Sequence, residues 1–179
     1  LGAFGMQTDI YPGLDRTTGF ADRYADVGLD GSYLVGLDSG DTVSVNARFI
    51  HEHEDLRATC LLASAAADCA NTHLTDLRAA ASYYWRNKIG LTVQAFDTTG
   101  PPNPVVYAGN RTFKPDSSGV MLQLDGTPFG SGKSPLGPRF NMRVGVQYTA
   151  YATFDGASQN FDGLGRNASD NNTLRMFAW

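Results

Sequence analysis

No apolar run in the 179-residue sequence approaches the roughly 18 residues that a membrane-crossing helix needs, so a helical membrane protein is ruled out. Positive charge is scarce as well. The 14 Lys and Arg against 18 Asp and Glu leave a net charge of −4 with no basic cluster, so no nucleic-acid partner is expected. Cysteine is nearly absent: Cys60 and Cys69 stand alone in a stretch that reads as a loop. Their spacing is too wide for the usual zinc pair and suits one disulfide in an oxidising compartment. No Cys-x-x-Cys-His is present to hold a c-type haem, and no cofactor is expected. The sequence opens without an initiator Met or an apolar leader, and so reads as a processed chain or a fragment. No nucleophile, base and orienter can be assembled from its Ser and His residues, so no enzyme is expected.

What the sequence has instead is two-residue alternation. Along 139–156, Phe140, Met142, Val144, Val146, Tyr148, Ala150, Ala152 and Phe154 share one parity, while Asn141, Arg143, Gly145, Gln147, Thr149, Tyr151 and Thr153 share the other. In an extended chain this puts hydrocarbon on one face and polar groups on the other. Strands of soluble domains run to about 5–6 residues, whereas a tilted strand crossing a bilayer needs roughly 9–11. The strand this predicts runs over 139–155, and the same pattern recurs at 2–11, 24–35, 42–54, 75–86, 89–97, 119–128 and 172–179, with Phe4, Met6 and Ile10 as the apolar parity of the first stretch. Short links at 37–41, 86–88 and 130–137 alternate with long ones at 12–23, 55–74, 98–118 and 155–171. Short turns on one rim and long loops on the other are the outer-membrane arrangement. The expected fold class is all-β, an antiparallel up-and-down transmembrane β-barrel in one domain with eight strands visible. Hydrocarbon leaves no partner for an open strand edge, so the eight either close alone or form the C-terminal part of a larger barrel.

With the apolar parity towards lipid, Asp26, Asp30, Arg48, Glu52, Arg78, Arg86, Gln94, Asp125, Arg143, Gln147 and Arg175 line the lumen. A filled eight-stranded interior requires these charges to pair as a network. A wider barrel lets them line an aqueous path, and the many small lumen residues favour it. His51 and His53 are weak metal candidates; they continue the lipid-facing row towards the long loops, where an amphipathic ring suits the headgroups. His73 joins them only if its loop folds back. Tyr83 and Trp85 read as interface aromatics beside a tight turn, with Tyr84 pointing inward. Gly130-Ser-Gly-Lys-Ser134 is a turn and not a phosphate loop, because Thr127 stands where that motif needs Gly and Pro135 and Pro138 oppose a following helix. The loop at 162–172 offers oxygens to calcium without the regular ligand ladder.

Four segments carry a likeness: Pro115-Asp-Ser-Ser-Gly-Val-Met-Leu-Gln-Leu, Thr127-Pro-Phe-Gly, Pro138-Arg-Phe-Asn-Met-Arg-Val-Gly-Val-Gln-Tyr and Gly165-Arg-Asn-Ala-Ser-Asp-Asn-Asn-Thr-Leu. Together they resemble the C-terminal region of proteobacterial outer-membrane porin-like β-barrel proteins, some of which accompany multihaem c-type cytochromes. The likeness is strongest over 115–179 and looser over Ile50-His-Glu-His-Glu and Ala81-Ser-Tyr-Tyr. It implies further strands before Leu1, a place in the bacterial outer membrane, and lipid as the first partner. It also implies a passive pore or a sheath for a periplasmic or extracellular c-type cytochrome; a homo-oligomer fits the same reading. The competing expectation is a soluble eight-stranded barrel that turns the same apolar parity inward around a small apolar ligand.

Overall fold

The computed structural model describes residues 1–63, 69–129, 134 and 140–179. Eight strands follow one another in a single antiparallel up-and-down sheet: β1 (Gly2–Ile10), β2 (Asp22–Gly36), β3 (Thr42–Asp55), β4 (Asn71–Trp85), β5 (Ile89–Thr99), β6 (Ser117–Gly126), β7 (Val144–Thr153) and β8 (Thr173–Ala178). β1 and β8 each have one strand neighbour, so the sheet is open along their outer edges. A short helix, α1 (Arg57–Leu62), lies in the loop between β3 and β4.

Local chemistry sets the turns. Arg86 and Asn87 adopt φ of 48° and 55°, the two left-handed positions of a tight hairpin turn, and the Lys88 N–H closes it on the Trp85 carbonyl at 2.9 Å. At the β2–β3 turn Asp41 accepts from Ser39, the Tyr83 hydroxyl and the Arg86 backbone N–H, which ties two neighbouring turns together. The Tyr83 bond, then that of Ser39, holds the Asp41 carboxyl below its usual range. The link at 130–137, with the Gly130-Ser-Gly-Lys stretch, lies outside the described residues apart from Ser134.

The two faces of the sheet differ in exposure. Val93, Leu122 and Leu124 are 46%, 48% and 50% exposed, whereas the polar Ser82 and Asp125 on the opposite face are 7% and 3% exposed. A flat single layer would expose both faces alike, so the sheet curls towards its polar side. The only apolar cluster of buried residues is small and sits beneath the long loops, where Leu56, Cys60, Cys69 and Ala70 pack with Tyr24 and Val105, among the described residues. Cys60 and Cys69 are bridged across a Cα separation of 6.0 Å. Asp22 caps α1 by accepting from the Ala58 and Thr59 N–H groups and the Thr59 hydroxyl.

Three expectations change. The strand expected at 139–155 is shorter, because β6 ends at Gly126 opposite Val144 and leaves earlier residues without that neighbour. At its other end Asp155 and Gly156 take positive φ and turn the chain, with Phe154 and Ala157 bonded backbone to backbone. β4 starts at Asn71 instead of 75, paired with Asp55, so the preceding loop is tighter and His73 belongs to a strand. Finally, Phe4 and Met6 stand opposite Gly28 and Asp26, which places the apolar parity of β1 on the polar face. Gly28 leaves a gap there, and the Phe4 ring fills it so closely that a Cβ at Gly28 would overlap the ring.

Candidate functional site

Register turns the alternation into continuous rows. On the exposed face Tyr33, Val45, Ala81, Val93, Leu122, Tyr148 and Leu174 stand side by side, one per strand from β2 to β8. On the occluded face the adjacent row reads Leu34, Ser44, Ser82, Thr92, Gln123, Gln147 and Arg175 over the same strands. Cross-strand neighbours share a face, so these are an apolar belt outside and a polar row inside. The polar face has apolar exceptions in Leu34, Ile50, Leu74, Phe96, Met121 and Phe177, besides the side chains of β1.

The exposed face turns polar towards the long loops. Gln7, Ala25, His53 and His73 form one row, and Asp9, Arg23, Asp55 and Asn71 form the next, while Asp97 on β5 and Ser118 on β6 end the apolar run on their strands. His51 is 5.5 Å from His73 between ring centroids and 3.2 Å from the Thr75 hydroxyl. The three imidazoles thus gather on the exposed face. Among the described residues no group of three or more His, Cys, Asp or Glu is placed to hold a metal ion. In the loop considered for calcium, Asp162 Oδ1 accepts from the Leu164 and Arg166 N–H groups, and Asp170 accepts from the Asn167 N–H in a capping box. The polar oxygens there serve the backbone.

Of the residues assigned to the lumen, Asp26, Asp30, Arg48, Glu52, Arg78, Gln94, Asp125, Arg143, Gln147 and Arg175 lie on or at the end of the polar face. Arg86 does not: it occupies the β4–β5 turn, where its guanidinium lies 5.6 Å from the Trp85 ring centroid. Arg143 forms a two-point pair with Asp125 at 2.7 and 2.9 Å, and Gln123 donates to the same carboxylate at 3.0 Å. Arg78 grips Asp76 at 2.9 Å, with Thr98 adding a bond at 2.9 Å. Arg48 and Arg175 have no ion pair among the described residues. Asp26 and Glu52 are register partners, with Glu54 one step further towards the long loops. Tyr107, from the loop at 100–116, is close to this acidic group. Burial first, and then the charges of Glu54 and Glu52, push its phenol up to about 12.

A device that alternation alone did not disclose also lies on the polar face. Phe4, Tyr84, Phe96 and Phe177 each stand opposite a glycine, respectively Gly28, Gly90, Gly119 and Gly145, and each ring covers the space a Cβ would take. Aromatic cover of a cross-strand glycine pins register and protects bare backbone. An inward aromatic whose strand neighbour carries glycine is the signal that finds such pairs. Compared with protein-family models, curated proteins and solved structures, the chain finds no match.

Proposed function

We propose that this sheet is the wall of an outer-membrane β-barrel, with its apolar belt against lipid and its polar face around a hydrated passage, and that it works as a passive pore or as a sheath for a partner such as a multihaem c-type cytochrome. The observation that carries the reading is the inverted polarity: large aliphatic side chains stand exposed along one face, while most charged side chains of the strands gather on the other, where Glu54 and Asp125 are buried. In water the apolar belt would be one large patch, far beyond what soluble monomers leave uncovered. In hydrocarbon it is the expected surface. From Val27 to Val35 the exposed face of β2 covers eight residue steps, about 27 Å of strand, which a tilt of about 40° turns into roughly 21 Å of height, near the height of the apolar band of membrane barrels.

Arg48 and Arg175 favour a passage wider than eight strands alone enclose. A closed eight-stranded interior is filled by side chains, and an unpaired charge there is costly, whereas water in a broader bore solvates it. A soluble barrel around an apolar ligand needs the aliphatic residues inside, and the exposure of Leu122 and Leu124 speaks against it. The test is reconstitution of purified protein into planar bilayers and, in parallel, removal of detergent. Detergent-dependent solubility with a stable ion current supports a pore, and solubility without current supports a sheathing or occupied barrel. A protein that stays monodisperse without detergent refutes the membrane reading.

A further inference from the structure

We infer that Arg48 and Arg78 together form a binding site for a small phosphate-type oxyanion on the polar face. The two arginines are direct register partners on β3 and β4. Like charges placed opposite each other on one face destabilise a sheet, unless something negative lies between them. Arg78 spends its Nε and Nη2 donors on Asp76, and its Nη1 group remains available. Arg48 has no carboxylate partner among the described residues. Its register partner on the other side, Asp30, instead leans over Gly2 at the edge of β1 and makes no ion pair with it among the described residues.

The surroundings complete the chemistry. Arg48 and Arg78 line a depression of about 330 Å³ together with Asn46, Gln94, Ser32 and Asp30. A planar guanidinium presents paired N–H donors that match an oxyanion in two-point fashion, and the Asn46 and Gln94 side-chain amides add donors around it. A multi-acceptor anion suits this set better than a halide, which has no directional lone-pair geometry to use. Asp76 neutralises one of the two arginines, and Asp30, although it also lines the depression, pairs with neither among the described residues, so the Arg48 guanidinium is the unpaired cation that the ligand would meet. This deepens the proposed function and rests on the polar face being hydrated: the passage would hold solutes bearing a phosphate-type group.

The test uses the full chain in detergent micelles, titrated with inorganic phosphate against chloride at matched ionic strength, with the thermal unfolding midpoint as readout. Wild type is expected to show a saturable rise in midpoint, since a ligand that binds only the folded state stabilises it by mass action. R48Q should need about tenfold more phosphate or more for the same rise, the loss expected for charge-assisted hydrogen bonds. R48K should fall between them, keeping the charge without the fork. R175Q, altered on β8 away from the depression, should match wild type. Arg48 is exposed and unpaired, so R48Q leaves the sheet intact. Equal phosphate responses in wild type and R48Q, or none in either, overturn the site. Planar bilayers separate the two proposals: a wild-type current beside an Arg48-independent phosphate response sinks the site and leaves the pore standing. An Arg48-dependent response in micelles with no current leaves the site and removes the open pore.

Discussion

Leu122 is the position at which the membrane reading is most exposed to refutation. It stands in the middle of the apolar belt, flanked across strands by Val93 and Tyr148 and along β6 by Val120 and Leu124. An arginine placed there has no acid to meet on that face. The nearest outward carboxylate in the adjoining strand, Asp97, is four residues beyond Val93 on β5, or about 13 Å along the strand. If the belt lies in lipid near the bilayer midplane, Leu122→Arg should cost about 2–4 kcal/mol. If the belt faces water, the same change should stay within about 0.5 kcal/mol, as surface substitutions do. The internal control is Gln123→Arg, one residue along on the polar face, which should be near neutral in either case. Urea-driven equilibrium folding into phosphatidylcholine vesicles, followed by the fluorescence of Trp85 and Trp179, measures both. A loss of 2 kcal/mol is about a thirtyfold fall in the folding constant, well within the resolution of such a titration. An L122R protein indistinguishable from wild type, beside a Q123R protein that folds poorly, would mean that the faces have been assigned the wrong way round.

Other perturbations reach different parts of the fold. Asp125→Ala removes a 3% exposed carboxylate and strands the Arg143 guanidinium and the Gln123 amide, so a loss of about 2 kcal/mol is expected in the same urea titration. Replacing both Cys60 and Cys69 by Ser releases a loop closed across nine positions, worth about 2–3 kcal/mol of chain entropy. The cost should appear as faster proteolysis within 56–70 ahead of any loss of the sheet. The carboxyl of Asp41 is held below its ordinary value of 3.8, chiefly by the Tyr83 hydroxyl, so its stabilising contribution is complete above that value and is lost as pH falls through the lower folded-state value. Urea midpoints measured from pH 7 down to pH 2 should therefore decline more shallowly at the acid end in Asp41→Asn than in wild type. Gly145→Ala pushes a methyl into the Phe177 ring and the Leu124 carbonyl, and should cost about 1–3 kcal/mol.

The order, number and direction of the strands could be read from the sequence because the period of two is long and clean wherever both faces are specified. Apart from a few inward apolar residues, β2 to β8 carry apolar residues on one parity and polar or small ones on the other, and the β4–β5 register follows from a short turn whose residues, Arg86 and Asn87, take left-handed backbone. β1 misled for a physical reason. Its large residues, Phe4, Met6 and Ile10, mark the obvious apolar parity, while Ala3 and Gly5 on the other side are small and weakly apolar. Only the pairing with Gly28 discloses that the big side chains fill space on the inner face. Arg86 misled because alternation continues on paper into a turn that has left the strand geometry. The cross-strand meeting of Arg48 with Arg78, and of His53 with His73, was beyond reach without register, since each pair joins residues of different strands.

The open edges bear on how such a wall can exist at all. β1 offers nine residues and β8 six, each with backbone donors and acceptors that no neighbouring strand takes. In hydrocarbon every orphan group costs several kcal/mol, more in sum than the few kcal/mol by which domains are stable. An apolar belt that spans β2 to β8 and two bare edges are therefore incompatible in lipid, and the belt is the feature written into seven strands of sequence. If the proposed membrane reading holds, the edges are satisfied either by pairing with each other or by further strands between them. The inner side of β1 discriminates between these. Met6 and Ile10, facing inward, are left half exposed beside Asp26 and Asp22. If β8 closed directly on β1, its short length would leave the β1 residues nearest one rim without backbone partners. Further strands of ordinary membrane length would cover the whole of β1 and bring inward-facing side chains against Met6 and Ile10. Under the proposed membrane reading, a wider barrel would satisfy both the backbone of β1 and its inward apolar side chains, whereas direct closure of these eight strands would satisfy neither in full.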